Sequence, residues 1–130
     1  MSTIDDAIYQ ILTTNSGVVA LASNRVYPNV LPQGVTYPAI SFQIISETPE
    51  YSHEGDSNLN LARVQFDCYA TTQTGVRAVA DALRSALTGL RTTVDNVRIG
   101  SSFLVNTLSN YEDALRVYRM TRDFMMTYSV

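Results

Sequence analysis

The chain has no lysine, one cysteine and one histidine in 130 residues. Without lysine there is no Schiff-base chemistry and no lysine-dependent phosphate loop. A single cysteine excludes an intrachain disulfide and a thiolate metal cluster, and a single histidine excludes any mechanism that needs two imidazoles. Charged residues make up only 16%, while hydrophobic residues reach 45%, the balance of a folded domain rather than a disordered chain. Nine arginines against twelve acids leave a net charge of −3, which is not the positive balance of a general nucleic-acid binder. No stretch approaches the ~20 apolar residues of a membrane-spanning helix. The first residues, MSTIDD, are acidic and do not read as a secretory signal, so the expectation is a protein made in a reducing cytoplasm, away from membranes. No G-x-S-x-G, phosphate loop or H-E-x-x-H is present. The length suits one domain over residues 1–130.

The patterns that remain describe an α+β domain. Ile4, Ala7, Ile8, Ile11 and Leu12 form one apolar helical stripe, with Ser2 or Thr3 as a cap and Asp5 and Asp6 in the first turn. A second short helix is read over 18–22. Pro28, Pro32, Pro38 and Gly34 exclude a helix or a central strand over 25–38, leaving a brief strand at 25–27 and then a loop. Residues 39–47 alternate, with Ile40, Phe42 and Ile44 on one face. Residues 61–70 do the same, with Ala62, Val64, Phe66 and Cys68 inward and Arg63, Gln65, Asp67 and Tyr69 outward. Between them lies a polar segment, so the pair reads as a long β-hairpin with an exposed tip. Val76, Val79, Ala80, Leu83, Leu87 and Leu90 predict a helix over 74–90, capped by Thr72 or Thr74, closed at Gly89, and with an Arg77–Asp81 pair on its wet face. Strands are read at 94–99 and 101–109, a turn at 110–114, and a final strand at 115–128 in which Arg122 interrupts an apolar face. The expected architecture is an antiparallel sheet of about five strands, with one long helix and one or two short N-terminal helices on one face.

Few residues could carry chemistry. One imidazole, His53, and two carboxylates, Glu54 and Asp56, resemble in residue type the facial triad of non-haem iron and define the enzymatic alternative, a small metal-dependent hydrolase. All three sit in one hairpin tip without a rigid scaffold, so the expectation is no metal, no cofactor and no catalytic set. Cys68 alternates with Val64 and Phe66 and reads as a small buried hydrophobe.

Two features point to partners instead. A straight 14-residue strand at the C-terminus spans ~45 Å, whereas a 130-residue domain is about 36 Å across. Either that strand is bent and bulged, or part of it extends the sheet toward another subunit. The charges also divide. Residues 1–60 hold six acids and one arginine, and residues 61–130 hold eight arginines and six acids. The tip, with Glu47, Glu50, Tyr51, Glu54 and Asp56, is a candidate to meet Arg116, Arg119 and Arg122 on the next subunit, a head-to-tail contact of the kind that closes rings.

The ordered set of local motifs resembles a family of small phage and prophage proteins. The resembling parts are Ile8 and Leu12 of the first helix, Val18 and Leu21, RVYP at 25–28, LPQG at 31–34 and PAISFQ at 38–43. They continue through LARVQFDCYATT at 61–72, the AVADALRSAL helix and the closing YRMTRDFMMTY. The family is that of tail completion proteins of long-tailed phages and gene-transfer agents, also described as tail terminator or tail-to-head joining proteins. The resemblance implies a non-enzymatic virion protein at the tail–neck junction. It implies a homo-oligomeric ring, hexameric as a rule, whose sheet continues around the ring. Its implied partners are the major tail tube protein and a neck or stopper protein, with a head-side neck connector as the alternative placement. In such a ring, the strand face bearing Arg63, Gln65, Asp67, Arg119, Thr121 and Asp123 is a candidate lumen lining. Its mixed signs would let DNA pass without gripping it.

Overall fold

Thr3 opens helix α1 (Ile4–Thr14) with a reciprocal cap: its hydroxyl accepts from Asp6 N at 3.3 Å, and the Asp6 carboxylate accepts from Thr3 N at 3.1 Å. Asn15 ends α1 and caps α2 (Ser16–Ala22), accepting from Val18 N at 3.1 Å. The structure, a computed structural model, describes residues 3–52, 55–114 and 116–129, with 50–52 and 55–58 placed by their backbone alone. Helix α3 (Gln73–Leu87) starts at Thr72, whose hydroxyl accepts from Gly75 N at 2.9 Å. A Cβ on Gly75 would lie 2.8 Å from that hydroxyl, so a larger residue there would displace the cap. The helix stripe of Val76, Val79, Ala80, Leu83 and Leu87 is buried as its spacing predicts. Leu90 lies beyond the helix end, partly buried against the core. Gly89 takes φ +71 and donates its N–H to Ser102 O at 2.9 Å, which ties the end of α3 to the sheet.

The sheet has six strands rather than about five, and it is mixed rather than antiparallel. Its strands are β1 (Val26–Pro28), β2 (Ala39–Ser52), β3 (Gly55–Ala70), β4 (Thr92–Val94), β5 (Val97–Glu112) and β6 (Val117–Ser129), in the order β1-β2-β3-β6-β5-β4. β1 runs parallel to β2 and every other pair is antiparallel. The proline-rich segment 29–38 carries the chain back to the start of β1 instead of folding as a hairpin. Arg25 Nε donates to Pro38 O at 2.8 Å and Ile40 N to Arg25 O at 2.9 Å, which fixes that crossover. α1 lies against both β1 and β4, the two ends of the strand order, so the sheet curls around the helices. All three helices and the inner sheet face share one core, built on Ile8, Leu12, Phe42, Phe66, Phe124 and Leu83 among others.

Three strand boundaries differ from the sequence reading, because polar and turn-forming residues stand inside strands there. The polar segment after residue 47 is strand, with Tyr51↔Asp56 and Ser52↔Gly55 in register, so the tip is a two-stranded ribbon. Gly100 does not separate two strands; it sits at a bulge between Ile99 and Ser101 within β5. Residues 110–112 continue β5, and turn residues follow at 113, 114 and 116, where Arg116 has φ 55.

The final strand does not overhang the domain. β6 pairs with β3 and β5 on its two sides, in unbroken register with β3, and the irregularities fall in β2, β5 and the ribbon end of β3 instead. Having no open edge, it cannot extend the sheet to a neighbour.

Candidate functional site

The face of the sheet turned away from the helices carries a polar network. Arg63, Gln65 and Asp67 of β3 lie across from Met125, Asp123 and Thr121 of β6, and Tyr69 lies across from Arg119. Arg63 Nη2 donates to Asp123 Oδ2 at 2.9 Å, and Gln65 Nε2 to Asp67 Oδ2 at 3.3 Å. Arg119 donates through Nε to Asp67 Oδ1 at 3.2 Å and through Nη1 to Glu112 Oε1 at 2.9 Å. The Thr121 hydroxyl also donates to Asp67. Partial burial opposes the Arg119 charge, but Glu112 and Asp67 outweigh it and raise its pKa. Burial and the Asp67 carboxylate push the Tyr69 phenol up. Two guanidiniums, Arg63 and Arg119, thus meet three carboxylates, Asp67, Asp123 and Glu112. The proposed lumen residues Arg63, Gln65, Asp67 and Asp123 are brought together on this one face with charges paired internally.

The proposed interface residues separate. Arg122 sits on the opposite face, 3% exposed, beneath α3. Its Nη1 donates to Ala80 O at 2.8 Å and its Nη2 to Asp81 Oδ1 at 3.1 Å. It is therefore a buried strut between β6 and α3 and is not available to a partner. Asp81, expected to pair with Arg77, is held by Arg122 instead. Arg119 is committed to the network above. Arg116 is exposed in the β5–β6 turn. Glu47 accepts from the Tyr128 hydroxyl at the base of the ribbon, and burial together with that carboxylate pushes the Tyr128 pKa up. Glu50, Tyr51 and Asp56 lie on the ribbon by backbone placement. His53 and Glu54, and with them the candidate metal set, lie outside the described residues.

Cys68 is buried against the core, and burial raises its pKa to about 12. At neutral pH the thiolate, the reactive form, is essentially absent. Labelling of the native protein with a thiol reagent at pH 8 should therefore be negligible over hours and become stoichiometric in denaturant. Rapid native labelling would show that β3 does not stay closed.

The sequence reading missed the open edge of β5. β4 pairs only with Val97, Arg98 and Ile99, so residues 101–112 have β6 on one side and no strand on the other among the described residues. Residues 99–111 carry no charged side chain and no proline. Four of their apolar side chains stand in solvent: Phe103 at 60%, Val105 at 50%, Leu108 at 54% and Tyr111 at 48% exposure. Natural edge strands are guarded by charge, proline or cover; beyond Ser102, whose carbonyl accepts from Gly89 N, residues 103–111 show none of these among the described residues. The uncharged run was visible in the sequence; that it forms an edge depends on strand order. At the other side of the sheet, β1 covers β2 only at Ile40, Ser41 and Phe42, so β2 is open from Gln43 onward, with Ile45 44% exposed at its bulge.

Comparison with known proteins bears on these surfaces. The model of the family described as tail completion protein gp17 matches residues 6–129. A solved chain described as "Virion of native gene transfer agent (GTA) particle" has the same fold. Its TM-score is 0.79 at 16% identity, over 95% of this chain and 92% of that one. Among curated proteins no sequence matches.

Proposed function

The chain belongs to the tail completion protein gp17 family, and on that premise we propose that it is a ring-forming subunit at the tail–neck junction of a phage or phage-like particle. In this reading it caps the tail tube, stops its growth and presents a docking surface to the neck. The family is one of structural tail proteins, so the task is geometric rather than catalytic.

The observation that carries the reading is the open, uncharged edge of β5. Strand direction alternates across β2, β3, β6 and β5, so β5 runs opposite to β2. A second copy that lays its open β2 edge along β5 pairs in the antiparallel sense and continues the same sheet. The two edges are different surfaces at opposite sides of one sheet, so the contact is head-to-tail and repeats until rotation closes it. Six copies is the number that the family resemblance implies. Pairing would cover Phe103, Val105 and Leu108, and burying such apolar area contributes about 25 cal/mol per Å². The helix-free face then lines the lumen, and at its centre the Arg63 and Arg119 charges are paired internally, so DNA passing there would meet no uncompensated basic surface.

Replacing Val105 and Leu108 together with lysine tests this. Both side chains are exposed, so the melting temperature should stay within about 2 °C of the parent. Edge charges block strand addition, so particles should carry tails of irregular length or tails without heads. Normal, head-joined tails made with this variant would overturn the reading.

A further inference from the structure

We propose that the concave surface around Arg91 and Arg98 is the socket for the acidic β2–β3 ribbon of a neighbouring copy. This rests on the head-to-tail ring, and it names a charge contact beside the strand edges themselves.

The argument starts from what the arginines do. Arg25, Arg63, Arg119 and Arg122 are engaged within the domain. Arg77 and Arg84 lie on α3, and Arg116 lies in the β5–β6 turn. Arg91 and Arg98 together line one concavity, of about 300 Å³, with Thr92, Thr93, Ile99 and Gly100. A second depression joins it through Arg98 and Gly100 and is bounded by Leu59 and Ser129. Neither arginine forms an ion pair among the described residues. Two guanidiniums beside threonine hydroxyls and a glycine at a bulge make a donor-rich surface suited to carboxylates, which arginine binds through two parallel N–H bonds.

The register supplies the occupant. Glu50↔Leu59, Leu59↔Ser129, Ser129↔Arg98 and Arg98↔Thr93 are successive pairs, so Glu50 and Arg98 lie on one row across the whole sheet. A copy brought up to the β4–β5 edge without slipping along the strands therefore presents its ribbon at the row of Arg98. Residues 26–62 hold four acids, Glu47, Glu50, Glu54 and Asp56, and no arginine or lysine. Glu47 is already taken by Tyr128, which leaves Glu50 and Asp56, placed on the ribbon by backbone. Duplex DNA offers phosphates that two arginines could also bind. Arg98 shares the helix-free face with Ser129 and Leu59, but it lies at the β4–β5 edge of that face, where a neighbouring copy would sit, and not at its centre.

A charge swap in the full chain decides the matter. Arg91→Glu with Arg98→Glu should lower the yield of head-joined particles at least 100-fold while leaving the melting temperature unchanged. Glu50→Arg with Asp56→Arg should do the same. All four changes combined should recover at least 10-fold of the loss, because opposite charges again face each other. If the reversal of Arg91 and Arg98 unfolds the chain, Arg91→Gln with Arg98→Gln takes its place and should lower particle yield at least 10-fold. Normal assembly by either charge variant, or loss without recovery in the combined chain, overturns the socket. If the unrecovered loss comes with weaker retention of duplex DNA by the purified protein, the surface is a phosphate site instead. The Val105→Lys, Leu108→Lys protein, run in parallel, separates the two levels. If it fails to assemble while the charge variants assemble normally, the ring stands and the socket falls; if all assemble normally, both fall.

Discussion

Replacing Phe66 with alanine should destabilise the domain by about 3–5 kcal/mol, the range for truncating a buried aromatic. Phe66 is fully buried on β3. Its ring lies 6.0 Å from that of Phe42, its direct cross-strand partner on β2, and 5.6 Å from that of Phe124 on β6, edge to face at 88°. Truncation removes the middle ring of three, so the hole opens between three strands at once and no single strand can move to fill it. Each aromatic pair adds about 0.5–1.5 kcal/mol beyond its buried area. Since small domains are stable by only about 5–15 kcal/mol, this one change should consume a large share. Phe66→Leu, which keeps most of the volume, should cost about 1.5 kcal/mol or less. Urea unfolding followed by circular dichroism measures both, and a loss below about 1 kcal/mol for Phe66→Ala would contradict the three-ring core.

Arg122 should separate packing from charge. Its guanidinium bridges β6 to the Ala80 carbonyl and the Asp81 carboxylate of α3, yet the Asp81 side chain is 57% exposed and Arg122 Nε has no hydrogen-bond partner. The ion pair is therefore screened by solvent at one end, while the side chain's stem fills core space. Arg122→Ala should cost about 2–4 kcal/mol, mostly from the cavity left under α3. Asp81→Asn should cost less than about 1 kcal/mol, as for an exposed pair. Arg122→Met should fall within about 1 kcal/mol of the parent, because a hydrophobic residue of similar shape offsets the desolvation of a buried, incompletely satisfied charge. A loss for Asp81→Asn as large as that for Arg122→Ala would show that the ion pair, not the packing, holds α3 to the sheet.

What the sequence determined by itself was which side of each element faces inward. The stripe of α3 from Val76 to Leu87, the alternation of Val64, Phe66 and Cys68, and the inward parity of Met120, Arg122 and Phe124 are all local facts, because burial repeats at the period of the element. That parity already placed Arg122 on the apolar face; only the tertiary structure supplied the Ala80 and Asp81 partners that let a charge remain there. The same limit explains the strands. Residues 105–111 of β5 are exposed on both faces, so they leave no alternation to read. The parallel β1, the central position of β6 and the open edges of β5 and β2 follow from strand order, which no local pattern encodes. Strand order is set by which hydrophobic faces find one another across long stretches of chain. The surfaces on which assembly is proposed to depend are those edges, so they were decided only when the sheet closed over its helices.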